Sequence, residues 1–565
     1  MNVTTFSRSP RVYTPANALD AHAEQLQAQT LGDLLNGDPQ ASQQRAEELR
    51  FTLDAHHVDL HVDFSKQRVN EHTLALLLDW VRSCNLVEKR QAFFDGAKVN
   101  PSEQRAALHM AARWPEGETP PGGMQDAVNF CLAQRQKLAD LVERLHAREW
   151  FGATGQSITD VVHIGVGGSD LGPKLISEAL GSRPSQTHVA VHYVSTMDGA
   201  QLLPLMERLD PATTLVVLAS KSFTTADTRF NVHTTLTWLS EALEIDVPTL
   251  CRHQLIGVSS RPDKMTEFGI PEAHQLVFEE WIGGRFSIWS PIGVSVAMQL
   301  GMATFDTLLA GAHAVDRHFL ETPLEANIPV LMAAIGAWNT QFLHIPTHAI
   351  LPYDGRLSSV PAYLQQLEME SNGKSVGLDK RAVTHATCPI IWGDVGPNGQ
   401  HAFYQLLHQG SHTVSADFIA VAGREEMAEG ELGEALHAQE QLTLANCLAQ
   451  SQLFALGDDA IPAVARGAMA QGYRGNQPNS VILMKRLDGF NIGALLALYE
   501  HKVFVQSVLW NVNPFDQPGV ELGKQLATQL YQQMTSDAEN GADACDAVTD
   551  PSTQALLERI GAWRQ

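Results

Sequence analysis

Between residues 160 and 278 five short strand-like runs, Asp160–Ile164, Val189–Val194, Thr214–Ala219, Gln254–Val258 and His274–Phe278, are each followed by a helical pattern or a loop. Strands that alternate with helices need crossover connections, and crossovers lead to a parallel sheet covered on both faces. A helical stretch from about Ile292 to Phe342 separates this series from a second one, His348–Leu351, Cys388–Trp392, Ser415–Val421 and Ser480–Met484. The fold class is therefore α/β, with two doubly wound subdomains built on parallel sheets. In such folds ligands gather at the carboxyl ends of the strands.

The flanks read differently. Up to Trp114 apolar residues recur at helical spacing (Leu26, Leu31, Leu34, Leu35; then Leu74, Leu77, Leu78, Val81), with one alternating run, Val58–Phe64, that suits a short strand. Turn residues collect over Trp114–Gly123 and mark a boundary. The expected division is a helical N-terminal segment (1–115), a first α/β subdomain (116–310), a second (311–515) and a helical C-terminal segment (516–565), in which acidic, small-residue-rich Ser536–Asp550 is a solvated excursion before a last helix.

With 44% apolar and 18% charged residues, disordered, fibrous and disulfide-scaffold classes are excluded. The net charge of −24 over 565 residues argues against nucleic acid or an anionic membrane as a general partner, because both attract cationic side chains. No apolar run approaches the roughly 20 residues of a membrane span; the densest, Ile328–Trp338 and Ile492–Tyr499, fit buried elements. Met1–Gln27 has no apolar stretch after Arg8 and Arg11, so no secretory signal is expected. Cys84, Cys131, Cys251, Cys388, Cys447 and Cys545 lie far apart, the usage of reduced thiols in a cytoplasmic compartment.

Two loops carry phosphate-binding chemistry. Ile164-Gly-Val-Gly-Gly-Ser-Asp-Leu-Gly-Pro173 follows a strand and opens a helix, so backbone N–H groups and a helix dipole converge there. It is not a dinucleotide fingerprint, since the third glycine of that pattern would fall on Asp170. Ser220-Lys-Ser-Phe-Thr-Thr225 offers four hydroxyls and an ammonium at a strand's carboxyl end. The same residues also suit a tight turn without a ligand and a loop that caps the next helix. A P-loop is excluded: ahead of Gly373-Lys-Ser375 the required glycine is Glu368.

In Gly283-Gly-Arg-Phe-Ser-Ile-Trp-Ser290, paired glycines open backbone space beside Arg285, whose charge suits an oxyanion or a structural ion pair. Gln365-Gln-Leu-Glu-Met-Glu-Ser-Asn-Gly-Lys374 ends a helix with the stripe Val360, Tyr363, Leu364 and Leu367; Gln366 and Glu370 share the face beside it. A carboxylate against apolar surface can have a raised pKa and shuttle protons, although most helix-end glutamates are solvated. Gly399-Gln-His-Ala-Phe-Tyr-Gln405 and Phe515-Asp-Gln-Pro-Gly-Val-Glu-Leu-Gly-Lys524 are each weak alone. His56, His57 and His61 lie in an alternating run that splits them between faces, which argues against a metal site.

Taken together, these motifs resemble the glucose-6-phosphate isomerase (phosphoglucose isomerase) family, most strongly over 161–526 and most specifically in Glu280–Gly293 and Phe515–Lys524. The resemblance implies two sugar-isomerase-type subdomains and a homodimer with shared active sites. It further implies a cofactor-free, metal-free interconversion of glucose 6-phosphate and fructose 6-phosphate in glycolysis and gluconeogenesis. By the matched motifs Glu370 moves a proton between C1 and C2 through a cis-enediol, Arg285 steadies the enediolate, and His401 and Lys524 serve ring opening, with His401 reaching in from the partner subunit. Ser169, Ser220, Lys221, Ser222 and Thr225 hold phosphate; Gly168, Gln366 and Gln517 line the sugar.

Four places depart from the family's usual pattern. Thr225-Ala-Asp-Thr228 stands for Thr-Gln-Glu-Thr, so the carboxylate that orients the ring-opening histidine, Asp227, is one methylene shorter. Ser222 replaces a threonine, Thr196-Met-Asp198 replaces Asn-Val-Asp, and Pro518 replaces a tryptophan. Sugar-phosphate regulators and amidotransferases share such loops. An amidotransferase would need a cysteine at its mature N-terminus, where this chain has Asn2, and a regulator would need a DNA-binding module.

Overall fold

The computed structural model describes residues 15–26, 28–36, 43–45, 48–53, 59–181, 187–423, 429–461, 472–536 and 550–564. The chain forms two compact units, Met1–Pro514 and Phe515–Gln565. His56, His57, Cys545 and most of the acidic stretch 536–550 lie outside the described residues.

Unit Met1–Pro514 contains two sheets. The alternating run around residue 60 becomes strand β2 (Leu60–Asp63), which pairs antiparallel with β1 (Arg50–Leu53). Strands β3 (Asp160–Ile164), β4 (Ala190–Val194), β5 (Thr214–Ala219), β6 (Leu255–Ser259) and β7 (Gln275–Val277) form an all-parallel sheet in the order β4-β3-β5-β6-β7. All six residues of β5 are buried, as a strand between two helical layers requires. Val162, Val216 and Leu255 pack with Val232, Leu236 and Leu239 of helix Ala226–Leu243 into its core.

The second sheet holds β8 (Thr347–Pro352), β9 (Ile390–Gly393), β10 (Ser415–Gly423) and β11 (Asn479–Arg486), all parallel. The β1–β2 hairpin extends it, with β2 antiparallel to β11, so the order is β1-β2-β11-β10-β8-β9 and the sheet is mixed. The N-terminal segment, expected as helix with one short strand, therefore contributes two strands to this sheet, and the strand they join, β11, lies over 400 residues later. The hairpin satisfies backbone groups along β11 that an open edge would leave unpaired.

Helix Gly489–Trp510 is the one helix among the described residues long and apolar enough to cross a membrane, and it is wholly buried. It packs against helices Met302–Glu321 and Ile328–Ala337, so its apolar residues face protein on every side. Buried charge is paired. Arg113 donates to Asp316 at 2.7 and 2.6 Å and to Glu500 at 2.5 Å, and Trp289 Nε1 donates to Glu500 at 2.7 Å. Removing one member of such a cluster leaves an uncompensated charge, which costs about 3–5 kcal/mol.

Candidate active site

Segments far apart in sequence meet beyond the carboxyl end of β3. At Gly167 φ is +59°, a left-handed conformation that favours glycine. At Gly168 an added Cβ would lie 1.9 Å from the Gly284 carbonyl oxygen, so only glycine lets the two backbone segments touch. Ser287 Oγ closes the contact by donating to the carbonyls of Gly168 (3.2 Å) and Gly284 (2.6 Å). A Cβ at Gly167 would approach Gln366 Nε2 to 2.8 Å, which brings Gln366 to the same place. Gly168 thus has a packing role that its expected place at the sugar did not reveal. Ser169 is buried, and its carbonyl accepts from His163 Nε2 at 2.7 Å. Burial pushes that imidazole down to about 4, so it is neutral when it donates. Burial also pushes the Asp170 carboxyl up to about 6, against the pull of Lys174.

Arg285 lies one residue past Gly284 and points at the helix that ends in Glu370. The stripe Val360, Tyr363, Leu364 and Leu367 is buried as expected, but the helix changes form after Leu364: Gln365–Glu370 is a π-helical turn. Such turns are rare and concentrate at functional sites. Arg285 Nη1 donates to Glu370 Oε1 at 3.0 Å, Nε to Ser371 Oγ at 2.6 Å, and Nη2 to the Pro514 carbonyl. The guanidinium is held from three sides with its side chain 2% exposed, whereas the Glu370 side chain keeps 23%. Arg285 also lies over the Phe286 ring (5.5 Å), which stacks on His109 (4.6 Å). Glu370 therefore has a fixed positive charge at its side, not apolar surface alone.

The loop after β5 supplies polar groups nearby. Ser220 is buried and Ser222 exposed. Thr225 precedes helix Ala226–Leu243 without using its side chain to cap it, and Asp227 sits in the helix's first turn. Ser220 Oγ is 3.4 Å from Thr225 Oγ1, and Thr224 Oγ1 donates to Ser222 Oγ at 2.9 Å. Lys221 Nζ donates to the carbonyls of Glu280 and Ile282, both at 2.8 Å, which ties this loop to the segment carrying Arg285. Burial, with Arg105 and Arg285 close by, pushes the Lys221 ammonium down to about 8; Glu103 and Glu280 oppose the shift.

Within unit Met1–Pro514, one expected residue stands apart from this cluster. His401 is exposed on helix Gly396–Ala402, and among the described residues no hydrogen bond or ion pair links it to Glu370, Arg285 or Asp227. Gln517 and Lys524 belong to the separate unit Phe515–Gln565; within it Lys524, 64% exposed, pairs with Glu521 at 3.0 Å on helix Glu521–Ser536. His61 hydrogen-bonds Thr52 across the β1–β2 hairpin at 2.9 Å.

Ser371 and Pro514, which orient the guanidinium, carry no signal readable in the chain. Lys502 does: Glu500-His-Lys502 interrupts an otherwise apolar helix, and charges in such a run must find buried partners.

Solved structures share this architecture. A crystal structure of a glucose-6-phosphate isomerase from Chlamydia trachomatis superposes with a TM-score of 0.80 at 29% identity, covering 98% of this chain and 99% of that one. A hypothetical protein from Thermus thermophilus superposes with a TM-score of 0.60 at 26% identity, covering 84% and 99%. Fold and site together define a two-sheet α/β isomerase. The Phosphoglucose isomerase family model matches residues 63–557. Glucose-6-phosphate isomerase 2 of Chromohalobacter salexigens is 48% identical over 510 residues, 89% of this chain and 90% of that protein. A glucose-6-phosphate isomerase of Acinetobacter baumannii is 49% identical over 505 residues (88% and 90%). The chain belongs to the phosphoglucose isomerase family.

Proposed function

We propose that Glu370, held beside Arg285, is the base of an aldose–ketose isomerisation. The reaction is the interconversion of glucose 6-phosphate and fructose 6-phosphate, a step of central metabolism. The observation that carries the assignment is the 3.0 Å pairing of a partly exposed carboxylate with a guanidinium fixed by Ser371 and Pro514. From the open-chain aldose the carboxylate takes the C2 proton, leaving an enediolate with its charge on O1. Return of that proton to C1, with the O2 proton passing to O1, gives the ketose. A carbon acid ionises readily when a positioned base and a fixed cation act together, and arginine keeps its charge throughout.

Ser169, Ser220, Lys221, Ser222 and Thr225 hold the phosphate, a role supported by their hydroxyls, the Lys221 ammonium and the amino end of helix Ala226–Leu243. Gly168, Gln366 and Gln517 line the sugar. His401 and Lys524 open the ring, with Asp227 orienting the histidine. His401 comes from the second copy of a homodimer, a reading that fits its exposed position on helix Gly396–Ala402. No cofactor or metal enters the scheme. The setting is the cytoplasm, to which the free Cys84, Cys131, Cys251, Cys388 and Cys447 are suited.

The test is Glu370→Gln, which keeps shape but cannot accept a proton. Exchange of the C2 hydrogen with solvent should fall on the order of 10²- to 10⁴-fold, with inhibition by inorganic phosphate within severalfold of the parent. Near-parental turnover would move the base elsewhere.

A further inference from the structure

Glu370 is the partly exposed last residue of a π-helical turn that buries Leu367 and Glu368. Two residues earlier in the same π-helical turn, Glu368 points inward and accepts from Lys502 Nζ at 2.8 Å. Their side chains are 2% and 4% exposed. Lys502 lies near the centre of helix Gly489–Trp510, and the next residue of that helix, Val503, accepts at its carbonyl from Asn372 Nδ2 at 3.0 Å. The buried helix thus grips the chain on both sides of Glu370 and Ser371. Those two residues are the ones that meet Arg285.

A π-helical turn needs such a grip. Its extra residue per turn leaves poorer packing and hydrogen bonding than the α form, so outside contacts must hold it. Here the surroundings leave room to shift. A cavity of about 20 Å³ adjoins the ion pair, bordered by Glu368, Lys502, Asn339, His348, Asp417 and Gln506. Glu368 Oε1, Asn339 Oδ1 and Gln506 Nε2 are buried there without a protein partner. That is space for one or two waters, which polar groups of both kinds would bind. A neutral side chain at 502 would leave Glu368 with these groups and no cation, and the turn free to rewind. Burial opposes the Lys502 charge, but Glu368 and Asp417 outweigh it and hold the ammonium above the usual lysine range.

We infer that Lys502 is a positioning residue for the isomerisation: its ion pair with Glu368 keeps the π-helical turn in the register that sets Glu370 against Arg285. The inference rests on Glu370 being the base. A displacement of about 1 Å at a reacting group can cost on the order of 10²-fold in rate. The phosphate groups lie on other segments and should not notice the change.

The experiment compares Lys502→Met, Glu368→Gln, the double variant Glu368→Gln/Lys502→Gln and Glu370→Gln in the full chain. The readouts are kcat, KM for fructose 6-phosphate and inhibition by inorganic phosphate. Lys502→Met should lose kcat on the order of 10- to 100-fold, with KM and phosphate inhibition within about twofold. The double variant, which restores a neutral hydrogen-bonded pair, should recover most of the loss. Wild-type kcat in Lys502→Met, or a double variant no better than that single one, overturns the inference. If Lys502→Met does not fold, Glu368→Gln takes its place: recovery in the double variant upholds the inference, equal kcat in both overturns it. Glu370→Gln separates the two layers. Turnover retained there removes the base assignment and this inference with it, whereas an inactive Glu370→Gln beside a fully active Lys502→Met defeats the positioning role alone.

Discussion

Arg285→Lys keeps a positive charge in the site and removes its shape. The guanidinium spends three separate N–H groups on Ser371 Oγ, Glu370 Oε1 and the Pro514 carbonyl, which come from the end of the π-helical turn and from the far end of the unit. One ammonium cannot reach all three. Buried hydrogen bonds to a charged group are worth about 1.5–3 kcal/mol each, so losing one or two predicts a stability loss of about 1.5–6 kcal/mol. The catalytic loss follows from the unanchored charge: a misplaced donor to a developing oxyanion costs about 2.7–4 kcal/mol, or roughly 10²- to 10³-fold in kcat. KM should rise only severalfold, because the phosphate loop does not depend on this side chain for its own contacts. The assay is a coupled measurement of kcat and KM in both directions, with urea unfolding to confirm that the folded state dominates. Arg285→Met, lacking the charge as well, should lose more. If Arg285→Lys turns over within about twofold of the parent, fixed guanidinium geometry is not what stabilises the enediolate, and the Glu370–Arg285 pair is structural.

The Lys221 ammonium, pushed down to about 8, is charged below that pH and neutral above it. A cation that binds phosphate helps only while protonated, so kcat/KM should fall as pH rises through about 8, while kcat at saturation holds further, because bound phosphate retains the proton; Lys221→Arg should abolish that alkaline limb, and a limb that persists would place the titration elsewhere. His401→Ala should impair cyclic glucose 6-phosphate far more than a shorter, acyclic aldose phosphate, and Asp227→Glu should preserve or raise turnover on the cyclic sugar; equal losses on both substrates would contradict ring opening. Mixing His401→Ala with Glu370→Gln subunits tests the shared site, since activity should reappear in hybrids if His401 serves its neighbour and stay absent if it does not.

Much of the architecture can be read in the chain because it is local. A buried parallel strand such as β5 is a nearly continuous apolar run, and the strand-loop-helix junctions at Gly165–Ser169 and Ser220–Thr225 announce themselves by glycine and hydroxyl content. Residue types in motifs also nominate Arg285 and Glu370. What the chain does not announce is partnership over distance. That Arg285 meets a carboxylate 85 positions away, and that a hairpin at residues 50–63 completes a sheet ending at residue 486, depends on surfaces formed only after the helices pack. The π-helical turn is equally silent, since one extra residue in a turn leaves the apolar stripe of Val360, Tyr363, Leu364 and Leu367 intact. Lys502 marks the limit most clearly. Its place in an apolar helix signals that a charge must be compensated, but only the tertiary structure chooses Glu368 as the partner, because desolvation makes a buried ammonium unstable wherever no carboxylate is brought within hydrogen-bond reach.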